Sequence, residues 1–317
     1  MRFQIIGDCH FHEYTTNKSD FSDIIIPNAP FLLTTGDIIQ PISKMAYNFY
    51  SYCAKNWEKT YIMMGNQEYE STNMFLKYTM NELEDLMINL IYHINTEVGS
   101  ERLVFIQNTF VDFPDESLRI IGLTLWANKS NIINIINKKD GINSRIKRAE
   151  IKNNNMFSGV MSVKSDISGV SIADTSYFLP LSVKSWAPFE YRNDLSSNYI
   201  GITKDDLKNL QEKDEEFLKQ MIVESEKKGY KLLVSSHYIP TYLIKKESPI
   251  VPQEHNFPSD FFSRDMSNYI KSPIVAWICG HVHLEQIVTI NTIPIYVNCQ
   301  ELTINPNVSI VTNIGIS

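Results

Sequence analysis

Five short apolar runs each stop at a small polar cluster, and this repetition constrains the fold more than any other feature. Phe3–Gly7 ends at Asp8-x-His10, Phe31–Thr35 at Gly36-Asp37, and Tyr61–Met64 at Gly65-Asn66. Further on, Lys231–Ser235 leads to His237, and Ile274–Cys279 leads to Gly280-His281-Val282-His283. Runs this short and this continuously apolar suit strands buried on both faces of a sheet. Between the second and third, Met45, Phe49, Cys53 and Trp57 recur every fourth residue, as one face of a helix does. A second helix is predicted over about 71–96, with Met74, Phe75, Leu83, Leu86, Met87 and Leu90 as its stripe. Strands alternating with helices predict an α/β architecture. In open sheets of that kind, ligands sit beyond the carboxyl ends of the strands, where all five clusters fall.

The rest of the chain fits the same plan. Leu103–Phe113 and Leu118–Trp126 read as adjacent strands joined by Pro114-Asp115-Glu116. Thr203 with Asp206 resembles a capping box, and Leu207, Leu210, Phe217, Leu218, Met221 and Ile222 give the helix that Gly229 closes. Gln286–Thr289, Ile293–Val297 and Val308–Thr312 read as short closing strands. Over 127–200 the pattern weakens, which marks an insertion or cap within a single domain spanning 1–317.

Composition narrows the class. Of 317 residues, 43% are hydrophobic and 21% charged, as in ordinary globular chains. A net charge of −7 argues against a general binder of nucleic acid, which would enter only as a substrate. No apolar run approaches the roughly 18 residues of a membrane span, and MRFQIIGDCH reads as a first strand rather than a leader. Cys9, Cys53, Cys279 and Cys299 are scattered and read as reduced thiols, so the chain is expected in the cytoplasm.

Singly, each polar cluster is ordinary turn chemistry. Together they bring two Asp, one Asn and four His to the ends of strands that would adjoin. His281 and His283 are expected to face one side of an extended segment. Such a nitrogen-and-oxygen set without thiolates suits borderline or hard divalent ions such as Mn²⁺, Fe²⁺ or Zn²⁺, of which Mn²⁺ is the one expected. Seven side chains exceed the needs of one ion but suffice for two that share a carboxylate, the arrangement used in hydrolytic displacement at phosphorus.

The motifs GDCH (Gly7–His10), GD (Gly36-Asp37), GNQE (Gly65–Glu68), SSH (Ser235–His237) and GHVH (Gly280–His283) resemble, in order, those of the calcineurin-like metallophosphoesterase superfamily. Asp8, Asp37 and Asn66 lie about 29 residues apart, one βα step each. The GNxEY context and Leu125-Trp126 resemble a bacterial and protist branch of that superfamily. The resemblance implies a four-layer αββα sandwich and a dinuclear phosphoesterase acting on a phosphate-ester substrate. It implies that Asp8, His10 and His283 hold one ion, that Asn66, His237 and His281 hold the other, and that Asp37 bridges them. A water bridging the two ions would attack phosphorus.

One family residue is missing. Where the superfamily has a histidine that contacts the phosphate and protonates the leaving oxygen, this chain has Gln67. Glutamine can hold a phosphoryl oxygen but delivers no proton near neutral pH. Losing general-acid help costs about 10²–10⁴-fold, most for poor leaving groups. Three expectations follow: a preference for diesters or good leaving groups, a substitute donor (His12 being the first candidate), or a metal-binding scaffold for a protein partner that turns nothing over. Asp37, Asn66, Gln67 and His12 are therefore the candidate catalytic residues, and attenuated hydrolysis is the reading carried forward. The basic stretch 138–152 reads first as solvated surface. His255 is a rim candidate, His93 a structural residue, and Tyr69 and Trp126 either pocket or core.

Overall fold

The computed structural model describes residues 1–11, 20–69, 78–127, 204–244, 263–282, 286–297 and 314–315. His12, His255, His283, the basic stretch, the strand expected at Val308–Thr312 and nearly all of the 127–200 insertion lie outside these residues.

Two sheets carry the described chain. In the first, β1 (Arg2–Ile6), β2 (Phe31–Thr34), β3 (Lys59–Ile62) and β4 (Leu103–Phe105) run parallel, and β11 (Ile314–Gly315) pairs antiparallel with β1. The second has the order β5 (Thr109–Phe113), β6 (Leu118–Leu123), β7 (Lys231–Ser236), β8 (Ile274–Cys279), β10 (Ile293–Val297), β9 (Gln286–Ile290). Its central strands β6, β7, β8 and β10 are parallel, with antiparallel edges. Alternation along each strand sorts side chains to opposite faces. Phe3, Ile5, Leu33 and Tyr61 of the first sheet, with Met63 just after β3, share one buried cluster with Leu118, Ile120, Leu233, Ala276 and Ile278 of the second. Leu32, Ile62, Leu232 and Trp277 belong to the cluster that also contains the helix residues.

Helix α1 (Lys44–Asn56) starts where Ser43 accepts from the Ala46 N–H, and it buries Met45, Phe49 and Cys53 as the four-residue spacing predicts. Trp57 is the residue that caps its end, in extended conformation, rather than a member of the helix. The second helix, α2, spans Met80–Val98 and starts later than the apolar stripe suggested. The reason is local: Thr79 and Glu82 form a reciprocal capping box, and Gly99, at φ 69°, closes the other end. The third, α3 (Lys204–Lys228), packs on β6 and β7. Buried Arg119 of β6 ties these elements together, pairing with Asp112 at 2.6 Å and with Glu224 at 3.1 Å.

The single strand expected over Leu103–Phe113 is two strands in different sheets. The chain breaks at Asn108, whose φ of 48° no extended strand can absorb, and crosses from β4 to β5. Likewise β6 stops at Leu123, and Leu125 turns with φ 56° instead of extending the strand to Trp126.

Candidate metal centre

All five strand-end clusters open on one place. The loops after β1 and β2 are sewn together by backbone bonds from Asp8 N–H to the Gly36 carbonyl and from His10 N–H to the Asp37 carbonyl, both 3.0 Å. Across the sheets, the His281 N–H donates to the Asp8 carboxylate at 3.0 and 2.9 Å. Asp8, His10, Asp37, Asn66, His237 and His281 are all buried. Four of them have left-handed backbones: Asp8 (φ 50°), His10 (φ 47°), Asp37 (φ 53°) and His281 (φ 73°). Such conformations cost about 1–3 kcal/mol each in a non-glycine residue and concentrate where function over-determines the backbone. His281 therefore lies in a bend beyond β8, not on the extended segment expected for His281-x-His283.

Two glycines make the convergence possible. A Cβ on Gly65 would stand 2.3 Å from Asp37 Oδ1 and 2.7 Å from His237 Nδ1. A Cβ on Gly280 would stand 2.5 Å from Asp8 Oδ2. Any larger residue at either place drives a candidate ligand from the cluster.

Among the described residues, two groups bring ligand atoms within 4.8 Å of one another: Asp8, His10 and Asp37; and Asp37, His237 and His281. Asp37 belongs to both. Around His237 the arrangement suits a cation. Nδ1 lies 2.9 Å from the Thr35 carbonyl, so it donates there and Nε2 is the nitrogen that faces inward. That nitrogen meets Asn66 Oδ1 at 2.9 Å, His281 Nδ1 at 3.1 Å and Asp37 Oδ2 at 3.2 Å. Asp37 Oδ2 is buried and has His237 Nε2 as its polar neighbour. So many converging electron pairs call for positive charge at their centre. The same knot shows in the proton affinities. Burial opposes a charge on His237, yet the Asp37 carboxylate beside it raises its pKa to about 9. Burial would raise Asp37, but His237 holds it below the usual carboxylate range.

Sequence reasoning passed over the clamp on this loop. Glu68 is buried, and its carboxylate accepts from the N–H groups of Asp37 (2.9 Å), Ile38 (2.6 Å) and Gly65 (2.8 Å). Burial, then the neighbouring Asp37 charge, lifts its pKa to about 7. The fourth letter of GNQE was the available signal, and only the fold shows what it holds. Gln67, half-buried, donates its N–H to Asp37 Oδ1 at 2.8 Å and places its side-chain oxygen 2.9 Å from His10 Nδ1. Tyr69 and Trp126 are core residues, with the Tyr69 hydroxyl donating to Glu84 at 2.7 Å. His93 stands on the outer side of α2, 3.3 Å from Glu97 and far from needing a site. Cys9, Cys53 and Cys279 are buried thiols in no disulfide, and burial raises their pKa values, so they are poor nucleophiles.

No family model and no curated protein sequence matches the chain. Solved structures do. A phosphopantetheinyl hydrolase from Mycobacterium tuberculosis aligns with a TM-score of 0.54 and 13% identity, over 94% of this chain and 89% of that one. A dimetal phosphatase from Danio rerio aligns with a TM-score of 0.43 and 12% identity, over 93% and 86%. The chain has the calcineurin-like metallophosphoesterase fold. Among the described residues, no helix is long and apolar enough to cross a membrane.

Proposed function

We propose that the protein is a dinuclear metal-dependent phosphoesterase that prefers phosphodiesters, or monoesters with good leaving groups, over alkyl phosphates. The observation that carries the reading is the pair of Asp/His groups sharing Asp37, at the carboxyl ends of strands from both sheets. The alignment to a hydrolase of the same fold supports it. When bound, two divalent cations supply charge for the phosphoryl oxygens and acidify the water that attacks phosphorus. The oxygen-and-nitrogen set accepts Mn²⁺, Fe²⁺ or Zn²⁺, and Mn²⁺ is the ion proposed.

The chain's own residues do the rest. Asp8 and His10 would hold one ion with His283; Asn66, His237 and His281 would hold the other; Asp37 would join them. Glu68 keeps the Asp37 loop in place, and the Thr35 carbonyl keeps His237 turned inward. By its place in the GNQE motif, Gln67 takes the position of the superfamily's proton donor and has no proton to give. That supports diester hydrolysis, with His12 as the candidate donor for more basic leaving groups. Segment 127–200, which follows Trp126 in the sequence, is proposed as a cap inserted within a single domain. The scattered, reduced cysteines support a cytoplasmic setting.

The test is to titrate the metal-stripped chain with Mn²⁺ and assay aryl phosphodiesters and monoesters of graded leaving-group basicity. Two bound ions, faster diester cleavage and a steep fall with leaving-group basicity are expected. Stoichiometric metal with no turnover of either ester would sink the enzyme reading and leave a metal-binding scaffold for a protein partner.

A further inference from the structure

We propose that Gln67 is a positioning residue for His10: its side-chain oxygen accepts the Nδ1 proton and so turns Nε2 toward Asp8 and Asp37. The inference rests on the reading that this cluster holds divalent cations, and it names what sets the affinity of one of the two positions.

The geometry gives Gln67 three anchors. Its N–H donates to Asp37 Oδ1 at 2.8 Å, its carbonyl accepts from Gln40 Nε2 at 3.2 Å, and its side-chain oxygen lies 2.9 Å from His10 Nδ1. The first two fix the backbone, so the amide reaches His10 from a held position rather than from a free loop. A neutral imidazole carries one proton, and whichever nitrogen donates leaves the other as the ligand. The glutamine oxygen is an acceptor only, so the nitrogen beside it is the donor and Nε2 carries the lone pair.

Gln67 thus does for His10 what the Thr35 carbonyl does for His237, whose Nδ1 lies 2.9 Å from that oxygen. The device matters more at His10, because its backbone is left-handed (φ 47°) and strained, so the ring's aim is not fixed by regular secondary structure. A residue that costs the chain a proton donor therefore has a positive role. The amide oxygen serves the ligand, and the amide N–H groups remain for a phosphoryl oxygen.

Partners of this kind typically contribute 10–100-fold to metal affinity. The full chain, labelled with ¹⁵N-histidine and stripped of metal, should show His10 as the Nδ1–H tautomer at a pH where its ring is neutral. Gln67→Met, close in shape but without the acceptor, should shift His10 toward Nε2–H. It should also weaken one Mn²⁺ position by about 10–100-fold while leaving the second unchanged. Gln67→Glu, which restores an acceptor, should restore both tautomer and affinity.

Native His10 found as Nε2–H would overturn the proposal, as would a Gln67→Met chain that binds both ions as the native one does. Failure of Gln67→Glu to rescue would overturn it too, because a merely structural role would not distinguish an acceptor from a thioether. If the native chain binds fewer than two ions, the phosphoesterase reading falls separately, and the metal-free tautomer still decides the role of Gln67.

Discussion

The two candidate metal groups share Asp37 and are built in opposite ways. Asp8, His10 and Asp37 follow neighbouring parallel strands of one sheet, joined by short backbone bonds between consecutive loops. The other group draws Asp37 from the first sheet and His237 and His281 from β7 and β8 of the second. The first is carboxylate-rich and nearly local. The second is imidazole-rich and exists only when the sheets pack. Their supports differ accordingly. A glutamine side chain faces His10, whereas a backbone carbonyl and a stack of aromatic rings surround the second group. Tyr238 lies 4.1 Å, centroid to centroid, from His281, and Trp126 lies 6.0 Å from Tyr238. One half of the centre is tuned by a side chain that substitution can change cheaply, and the other by core packing.

The largest effect should come from the residue common to both halves. Asp37→Asn keeps an acceptor for the Gln67 N–H but removes the shared charge. It should lose at least one of two bound ions and cut ester hydrolysis by ~10²-fold or more, the usual scale for losing one electrostatic element. Isothermal titration with Mn²⁺ decides it, since two ions at native affinity would refute the sharing.

Gly65→Ala sharpens the comparison from the steric side. Its Cβ would press on both Asp37 and His237, so both groups should suffer together, with a loss of about 1–3 kcal/mol in thermal or denaturant unfolding. A variant as stable as the native chain would show that the loop gives way and that the close approach is not required.

The smallest effect tests the aromatic support. Asp214 of α3 is buried, accepts from the Trp126 N–H at 3.3 Å, and lies near Arg264 and Asn108. Burial, only partly opposed by these N–H donors and by Arg264, raises its pKa from 3.8 to about 6. Between those values the unfolded chain releases a proton that the folded chain keeps, so folded stability falls as pH rises from about 4 to 6 and levels off above. Asp214→Asn keeps an acceptor without the charge and should gain on the native chain across that window, on the order of 1 kcal/mol. Denaturant unfolding at several pH values measures it, and a pH-independent difference would discard the account.

Where the sequence was readable, the physics was local. The apolar spacing of Met45, Phe49 and Cys53 marked α1 correctly, because burial of one helical face follows directly from period. The polar clusters marked strand ends correctly for the same reason. Boundaries failed where one backbone angle decided them. Asn108 broke an apolar run into two strands, Leu125 ended β6 early, and the Thr79–Glu82 box outranked an apolar stripe that began upstream. Glu68 stayed invisible because a buried carboxylate serving backbone N–H groups has the same letter as one on the surface.

The sequence by itself determined the α/β plan, the five junctions and the donor types gathered at them, since each is written in spacing and side-chain chemistry within a few residues. Only the tertiary structure decided that Asp37 belongs to two groups, that Glu68 holds its loop, and that Gln67 faces His10 rather than standing idle. Most of these contacts join residues far apart in the sequence, such as His237 with Asn66 or Gln67 with His10, and no local pattern encodes which distant partner a buried polar atom will find.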